Sequence, residues 1–554
     1  MASIYILYYI LTLFEKDVAT LHSKMETYSK TSVVLAVAAV AVTAWLWRVV
    51  NWLWIKPKRL EGHLRSQGFD GRPYRFLKGD LKEALEMLKE AQARELDVAD
   101  DAALRVFPFP YYTVKNYGKK SFTWFGPVPR VHIMNPDHIK EVLTKIDEYP
   151  KLKGNPLTRL LVTGLASYNG DKWAQHRKIL NPAFHQEKLK LMLPVFYRSS
   201  REMVDEWERE VMKSKGNETC ELDVWPYLQS MTCDVISRTS FGSSYKEGAK
   251  TFQLLREMAT LIMQIVRQVY IPGWRFLPTK TNTRMKRAYK EIQEAIQGII
   301  NKREKAMRTG EIVSNDDLLG LMMESNNNNN HHNGKNGMMT LEDVIEECKL
   351  FYFAGQETTS TLLVWTMVLL SKYPAWQERA RHEVLHVLGT DNEVNATTLD
   401  SSALGQLKTM TMIMHEVMRL YPPVMQMTRA VERDTKMGDF VLPAGTQLAL
   451  PTILVHKDPE IWGDDVAEFR PERFADGVSK ATRSHNQQGA YFPFGWGPRI
   501  CIGQNFALME AKIALAIILK RFSFELSPSY VHAPSPEAPI LQPQFGARLI
   551  LHKL

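Results

Sequence analysis

A chain of 554 residues that is 45% hydrophobic and 24% charged, with 13 Trp, 20 Tyr and 23 Phe, carries enough apolar matter for a large core, which excludes a disordered segment and a small stapled scaffold. Its four cysteines, Cys220, Cys233, Cys348 and Cys501, are too few for a disulfide framework and form no CxxC pair of a structural zinc site, so a reducing compartment is expected. Lys plus Arg number 70 against 61 Asp plus Glu, a net charge of +9 that suits an anionic membrane surface or an acidic protein partner; the basic residues are spread rather than patterned with aromatics, which argues against nucleic acid.

At the amino end, Ile4 to Phe14 is apolar but too short to span a bilayer, and Met25 follows; residues 1–24 read as an extension of unclear role, from an upstream start or an interfacial segment. Val33 to Ile55 is long enough to cross, since a span takes about 20 apolar residues. Trp45, Trp47, Trp52 and Trp54 cluster toward its far end, and Lys56, Lys58 and Arg59 follow around Pro57, so residues 25–60 are expected to be a single-pass anchor with a basic hinge. The same charges place everything after residue 60 in the cytosol, including the sequons at Asn217 and Asn395.

Residues 61–554 read as one mostly helical domain. Helical spacing of apolar residues predicts helices over Leu81 to Arg94, Trp173 to Leu193, Tyr197 to Lys213, Phe252 to Gln268, Thr283 to Thr309, Leu341 to Lys372, Ala375 to Leu388 and Leu404 to Leu420. Strands are expected at Ser121 to Phe125, Arg130 to Met134, Lys436 to Leu442 and Gln447 to Pro451. The Asn-rich tract Ser325 to Gly337 is expected to be a loop, with His331 and His332 as solvated spacer.

The most informative stretch is YFPFGWGPRICIGQNFA, Tyr491 to Ala507. Gly495, Gly497 and Gly503 with Pro493 and Pro498 force a non-repetitive backbone around Cys501; Arg499 sits two residues before it, and a helix is expected from Phe506. Backbone N–H groups, a nearby cation and a helix amino terminus all favour a thiolate, so Cys501 is a candidate metal ligand or nucleophile. A nucleophile would need a general base, and no His is close in sequence. A single thiolate ligand suits a metal held mainly by another group, as haem iron is held by its porphyrin.

Two further clusters stand out. The expected helix Leu341 to Lys372 is apolar on most faces yet carries Ala354, Gly355, Gln356, Glu357, Thr358 and Thr359 at its middle, a polar run that a purely structural helix would avoid burying. In HEVMRLYPP, Glu416 and Arg419 stand three apart on one helical face, where they can pair.

Phe494, Gly497, Arg499, Cys501 and Gly503 fit F-x-x-G-x-R-x-C-x-G, and the chain resembles the haem-thiolate monooxygenases of the cytochrome P-450 superfamily. The resemblance implies a mainly α fold with small β-sheets, a single large domain behind the transmembrane helix, and haem b bound through Cys501. It further implies that Trp173 and Arg177 (WAQHR), Arg429 (MTRAVERD) and Arg499 hold the haem propionates, with Phe494 and Gly503 shaping the Cys loop. Glu416, Arg419 and Arg473 (FRPERF) would form a buried structural triad. Gly355 would let the helix approach the haem, Thr358 would hydrogen-bond dioxygen and Glu357 would feed it protons. Electrons would come from NADPH through a separate FAD/FMN reductase, since the chain shows no G-x-G-x-x-G turn and no P-loop.

WIKPKRLE, GDLKEAL and FAGQETTSTLLVWTMVLLSKYPAWQERAR look most like the plant clan numbered seventy-two, whose members oxidise triterpenoid sapogenins, gibberellins, brassinosteroids and an iridoid. A small hydrophobic terpenoid substrate, contact with membrane lipid and an endoplasmic reticulum location follow as expectations. Phe351, Ala354, Val424, Met425, Met427 and Gln542 are pocket candidates by position, and most could equally be core. The competing readings are a haem-thiolate isomerase or lyase acting on hydroperoxides, which Glu357 and Thr358 argue against, and a non-enzymatic haem-binding membrane protein.

Overall fold

The computed structural model describes residues 16, 20, 32–214, 218–243, 245–309, 317–331, 339–389, 401–483, 487–537 and 540–554. Nearly all of the extension 1–24, together with Asn217 and the Asn395 sequon, lies outside them. The chain divides into two compact units, Met1–Gly62 and His63–Leu554. Helix α1, Ser32–Ser66, is long and apolar enough to cross a membrane, and none of its apolar window is buried. It includes a π-helical stretch at Asn51–Ile55, within the tryptophan-rich end.

In the second unit the helices that position the site are α2 (Gly170–Leu180), α3 (Gln186–Lys213), α4 (Trp225–Phe241), α5 (Tyr245–Val266), α6 (Lys280–Arg308), α7 (Leu318–His331), α8 (Leu341–Lys372), α9 (Lys408–Leu420) and α10 (Gln504–Arg521). The central helix, α8, has the predicted bounds. Thr340 and Asp343 cap each other's backbone N–H groups at its start, and the Tyr373–Pro374 step ends it. From Asp343 to Leu370 every residue of α8 is buried except Phe353, Ala354, Gly355 and Thr358.

Helix α4 carries no clear apolar period, because Ser, Thr, Cys and Asp interrupt it, and it was not predicted. It is nonetheless buried on most faces between α3 and α8. Its polar groups are satisfied there: Ser237 donates to the Cys233 carbonyl at 2.7 Å, Thr232 to the Gln356 carbonyl of α8 at 3.0 Å, and Ser199 of α3 to Asp234 at 2.7 Å.

Among the boundaries that differ from expectation, four have a physical reason in the packing or the turn. The break predicted after Leu193 falls instead at the 3₁₀ turn Asn181–Phe184, and Pro194 sits inside α3, where packing of Leu193 and Phe196 outweighs one lost backbone bond. The span Leu404 to Leu420 divides at Leu407, because the Glu383 carboxylate accepts from the N–H groups of Thr409 and Met410 and starts a new helix there. The Asn tract expected as a loop from Ser325 continues α7 to His331; Asn penalises a helix by only about 0.7 kcal/mol per residue, and Asn326 and Ser325 tie the end of α7 to the backbone of Met339. Lys436 to Leu442 falls within a hairpin, Thr435–Met437 paired with Phe440–Leu442 and reversed at Gly438 with φ +55°.

The main sheet runs β1 (Asp70–Gly71), β2 (Ser121–Phe125), β3 (Val128–His132), β8 (Gln447–Leu450), β5 (Met427–Ala430). Its β5 edge places Arg429 opposite Leu448 of β8. The remaining sheets are β4 (Thr219–Asp223) with β12 (Arg548–Lys553) and β9 (Phe522–Leu526), the β6 (Thr435–Met437) and β7 (Phe440–Leu442) hairpin, and the β10 (Pro534–Glu537) and β11 (Ile540–Pro543) hairpin.

Candidate active site

The Cys501 loop is built by glycines in left-handed conformations, Gly495 at φ +75° and Gly497 at φ +71°. A Cβ on Gly497 would lie 2.7 Å from the Leu143 carbonyl oxygen, so only glycine lets the loop pack this closely. Cys501 donates its N–H to the Phe494 carbonyl at 2.9 Å, and Gly495 donates to Phe492 at 2.9 Å, which closes the loop on itself. Gly503, just before α10, donates its N–H toward the sulfur, and Arg177 of α2 lies close enough to favour its anion. Burial outweighs both and pushes the thiol up. Cys501 is nevertheless exposed, unlike Cys233 and Cys348. A coordinating metal deprotonates a thiol outright, so a metal bound here would hold this sulfur as the anion.

Around the loop the basic side chains form a cluster with unspent hydrogen-bonding capacity. Arg177 donates to the Ile500 carbonyl at 2.8 Å, next to Cys501. Arg499 donates to the Tyr168 carbonyl at 2.8 Å and to the Asn169 side chain at 3.0 Å, and its guanidinium lies 4.4 Å over the ring of buried Trp173. Among the described residues Arg429 donates only to its neighbour's carbonyl, Thr428, at 2.8 Å. The buried Nε atoms of Arg429 and Arg499 have no partner among the described residues.

Burial draws each of these two guanidiniums down to about 10, and the charge of Arg499 adds to the effect on Arg429. Lys151, which no motif marked, is drawn down to about 7 by burial and by both arginines. Asn169 holds its backbone in place, accepting from the Lys151 N–H at 2.9 Å and donating to its carbonyl at 3.1 Å. Three crowded basic groups, two of them with unpartnered donors, fit a group carrying carboxylates, as the haem propionates are. Replacing Lys151 with methionine, similar in length and uncharged, is expected to speed haem transfer to excess apomyoglobin about tenfold, the effect of one charge-assisted bond; an unchanged rate would remove Lys151 from the site.

On α8, Ala354 is exposed and Thr358 half-buried one turn on, and together they open a window in an otherwise buried helix. The Thr358 hydroxyl donates to the Ala354 carbonyl at 2.9 Å. Gly355 faces elsewhere: its Cβ would lie 2.7 Å from Ile236 Cγ1 of α4, so the glycine is required by helix packing and not, as expected, by approach to the haem. Glu357 is buried and its pKa raised by that burial; the Gln542 amide donates to it and Arg256 of α5 lies 3.5 Å away. It therefore turns toward α5 and β11, away from the Ala354 face. A second acid, Glu510 of α10, lies outside the motifs; burial outweighs its contact with Thr359 and raises its pKa well above the usual carboxyl range.

The cytochrome P450 family model matches residues 106–551. The chain belongs to the cytochrome P450 family. It is 56% identical over 526 residues to cytochrome P450 72A15 of Arabidopsis thaliana, covering 95% of this chain and 99% of that one. It is 52% identical to 11-oxo-beta-amyrin 30-oxidase of Glycyrrhiza uralensis (94% and 98% covered) and 51% identical to 7-deoxyloganic acid hydroxylase of Catharanthus roseus (94% and 99% covered). Among solved structures it is similar to retinoic-acid-bound cyanobacterial CYP120A1, with a TM-score of 0.68, 25% identity, and 86% of this chain and 97% of that one covered. As a P450 it is a haem-thiolate monooxygenase, an oxidoreductase that incorporates oxygen from O2, with an apolar amino-terminal helix compatible with membrane anchoring.

The pocket candidates of this P450 separate in space. Ala354 is at the window, and Met427 brings its sulfur 3.7 Å from where a Cβ of Gly495 would stand, against the Cys loop. Phe351 instead stacks on Phe184 at 5.6 Å, which meets Phe506 of α10 at 6.3 Å, and Met425 is buried in the core. Val424 bridges to Ile540, and Gln542 is engaged with Glu357. Glu416, Arg419 and Arg473 come together in the core, with Arg473 Nε 3.4 Å from Glu416.

Proposed function

We propose that this P450 hydroxylates or further oxidises a terpenoid-type substrate, of the triterpenoid, gibberellin, brassinosteroid or iridoid class. The observation that carries the reading is the near full-length identity, above one half, to an amyrin oxidase and a deoxyloganic acid hydroxylase. Electrons come from NADPH through a separate FAD/FMN reductase. Helix α1 anchors the chain once in the endoplasmic reticulum membrane, with the catalytic domain in the cytosol.

Haem b with a thiolate ligand supplies reductive activation of O2 and attack on an unactivated C–H bond. The residues of this chain supply the rest. Cys501 Sγ is the ligand, with the Gly503 N–H and Arg177 tempering its charge. Lys151, Arg429 and Arg499 hold the propionates, with Trp173 stacked against Arg499, while Phe494 and Gly503 keep the loop in shape. Thr358 Oγ1 turns from the Ala354 carbonyl to offer a hydrogen bond at the window, while the Glu357 carboxyl, its pKa raised by burial, is held by Gln542 on another side of α8. The isomerase or lyase reading has no use for a threonine hydroxyl at this window.

Thr358→Ala is expected to keep haem and NADPH consumption while product formed per NADPH falls by a factor on the order of 10 to 100, measured by stopped assays against peroxide release; undiminished coupling would take Thr358 out of the reaction. Microsomes holding this protein and a reductase, incubated with a terpenoid panel, are expected to yield oxidised product only when NADPH is added. No NADPH-dependent product from any member of the panel would overturn the substrate class.

A further inference from the structure

Residues 151–169 form a loop tied at its neck and again at its tip. The neck is the paired hydrogen bonding of Asn169 and Lys151 beside Arg499. The tip rests on a buried group of charges from α8. Glu347, fully buried, accepts from the Leu165 N–H at 3.1 Å and pairs with His176 Nδ1 of α2 at 2.6 Å. Glu346 accepts from the Thr163 hydroxyl and from Tyr289 of α6 at 3.0 Å. Lys349, also fully buried, spans Glu346 at 2.6 Å and the Leu160 carbonyl at 2.9 Å. Gly164, at φ +73°, passes so close that a Cβ there would lie 2.7 Å from Glu347 Oε2. Among the described residues no three His, Cys, Asp or Glu side chains gather as a metal site would require.

The placement of Glu347 gives the group a consequence. Residues 347, 354 and 358 are spaced by seven and four, which returns to one face of an α-helix. The loop seated on Glu347 therefore lies on the face of α8 that carries the Ala354–Thr358 window, about two turns before it. His176, which completes the pair, precedes Arg177, whose guanidinium is bonded to the residue before Cys501.

We propose that Glu347 and His176, with Glu346 and Lys349, are positioning residues: a buried charged clasp that holds the tip of the 151–169 loop against α8 and so sets how large a molecule passes the loop to reach the haem. It requires bound haem but not the terpenoid assignment, and the reduced CO spectrum reports the haem separately.

Two variants release the clasp by unrelated means: Glu347→Gln removes its charge, and Gly164→Ala pushes the loop away without altering any charge. Neither touches a haem-binding residue. The probes are imidazole, small enough to pass either way, and clotrimazole, a bulky azole, each followed by its spectral shift on the haem-loaded protein. Both variants are expected to keep the thiolate CO band and to bind imidazole within about twofold of the parent, while clotrimazole association accelerates about tenfold, the effect of losing one buried charge-assisted bond. Unchanged clotrimazole association, or an equal change with imidazole, would overturn the clasp. In the unaltered protein the peptide around Leu165 is expected to exchange its amides with D2O as slowly as the adjoining turns of α8. Exchange at the rate of an open loop would overturn the proposal even if neither variant folds.

Discussion

Cys501→Ala is expected to abolish the thiolate-type band in the reduced CO spectrum and, with it, all monooxygenase turnover. The reason is geometric as much as chemical. Of the four thiols only Cys501 is exposed; Cys233 and Cys348 are buried, and burial raises both far above the usual thiol range. Cys220 lies half-buried on strand β4, raised by burial and by the charges of Glu210 and Glu221. None of them sits in a loop with a cation and a converging N–H, so no other thiol can take over. Cys348→Ala is the matched control and should leave the band intact. A normal band in Cys501→Ala would remove the assignment of the ligand.

Glu416→Gln is expected to be the most destabilising of the single changes considered, lowering unfolding free energy by about 3–5 kcal/mol, because it strips the counter-charge from a buried pair. Glu416 and Arg419 are both 0% exposed and meet through two hydrogen bonds, of 2.7 and 2.8 Å. Arg419 also donates to the carbonyls of His456 at 3.0 Å, Val466 at 2.7 Å and Glu468 at 3.1 Å, while Glu416 accepts the Arg470 N–H at 2.9 Å. A neutral amide leaves buried Arg419 without its carboxylate partner, while Arg473 keeps only Asp465, at 2.8 Å. The shift should be read by circular dichroism in a denaturant series, with the CO spectrum following it. A loss below about 1 kcal/mol would mean the pair behaves like an exposed one.

The pair also shows what sequence reading can and cannot do. Glu416 and Arg419 were recognisable because they lie one helical turn apart, as were the bounds of α8, marked by the Thr340 cap and by Pro374. Gly355 was assigned to the haem, whereas a Cβ there would strike Ile236 on a helix whose existence the apolar spacing did not reveal. Glu357 was placed beside Thr358 in function, yet neighbouring positions on a helix point about 100° apart, and its carboxyl ends on Gln542 and Arg256. Of six pocket candidates taken from their distance to motifs, Phe351 packs on Phe184 and Met425 lies in the core.

By itself the sequence determined an apolar amino-terminal helix, a mainly helical domain and one cysteine in a glycine-rich loop, because each is written in residues a few positions apart: a run of apolar side chains, a period of 3.6, a spacing of glycines. Only the tertiary structure decided that Lys151 joins Arg429 and Arg499, that Glu357 turns from the window, and that Glu347 and His176 hold a loop on the window's face of α8. Those facts depend on which polar groups are left without partners once distant segments pack, and a buried charge declares its purpose only when its neighbours are known.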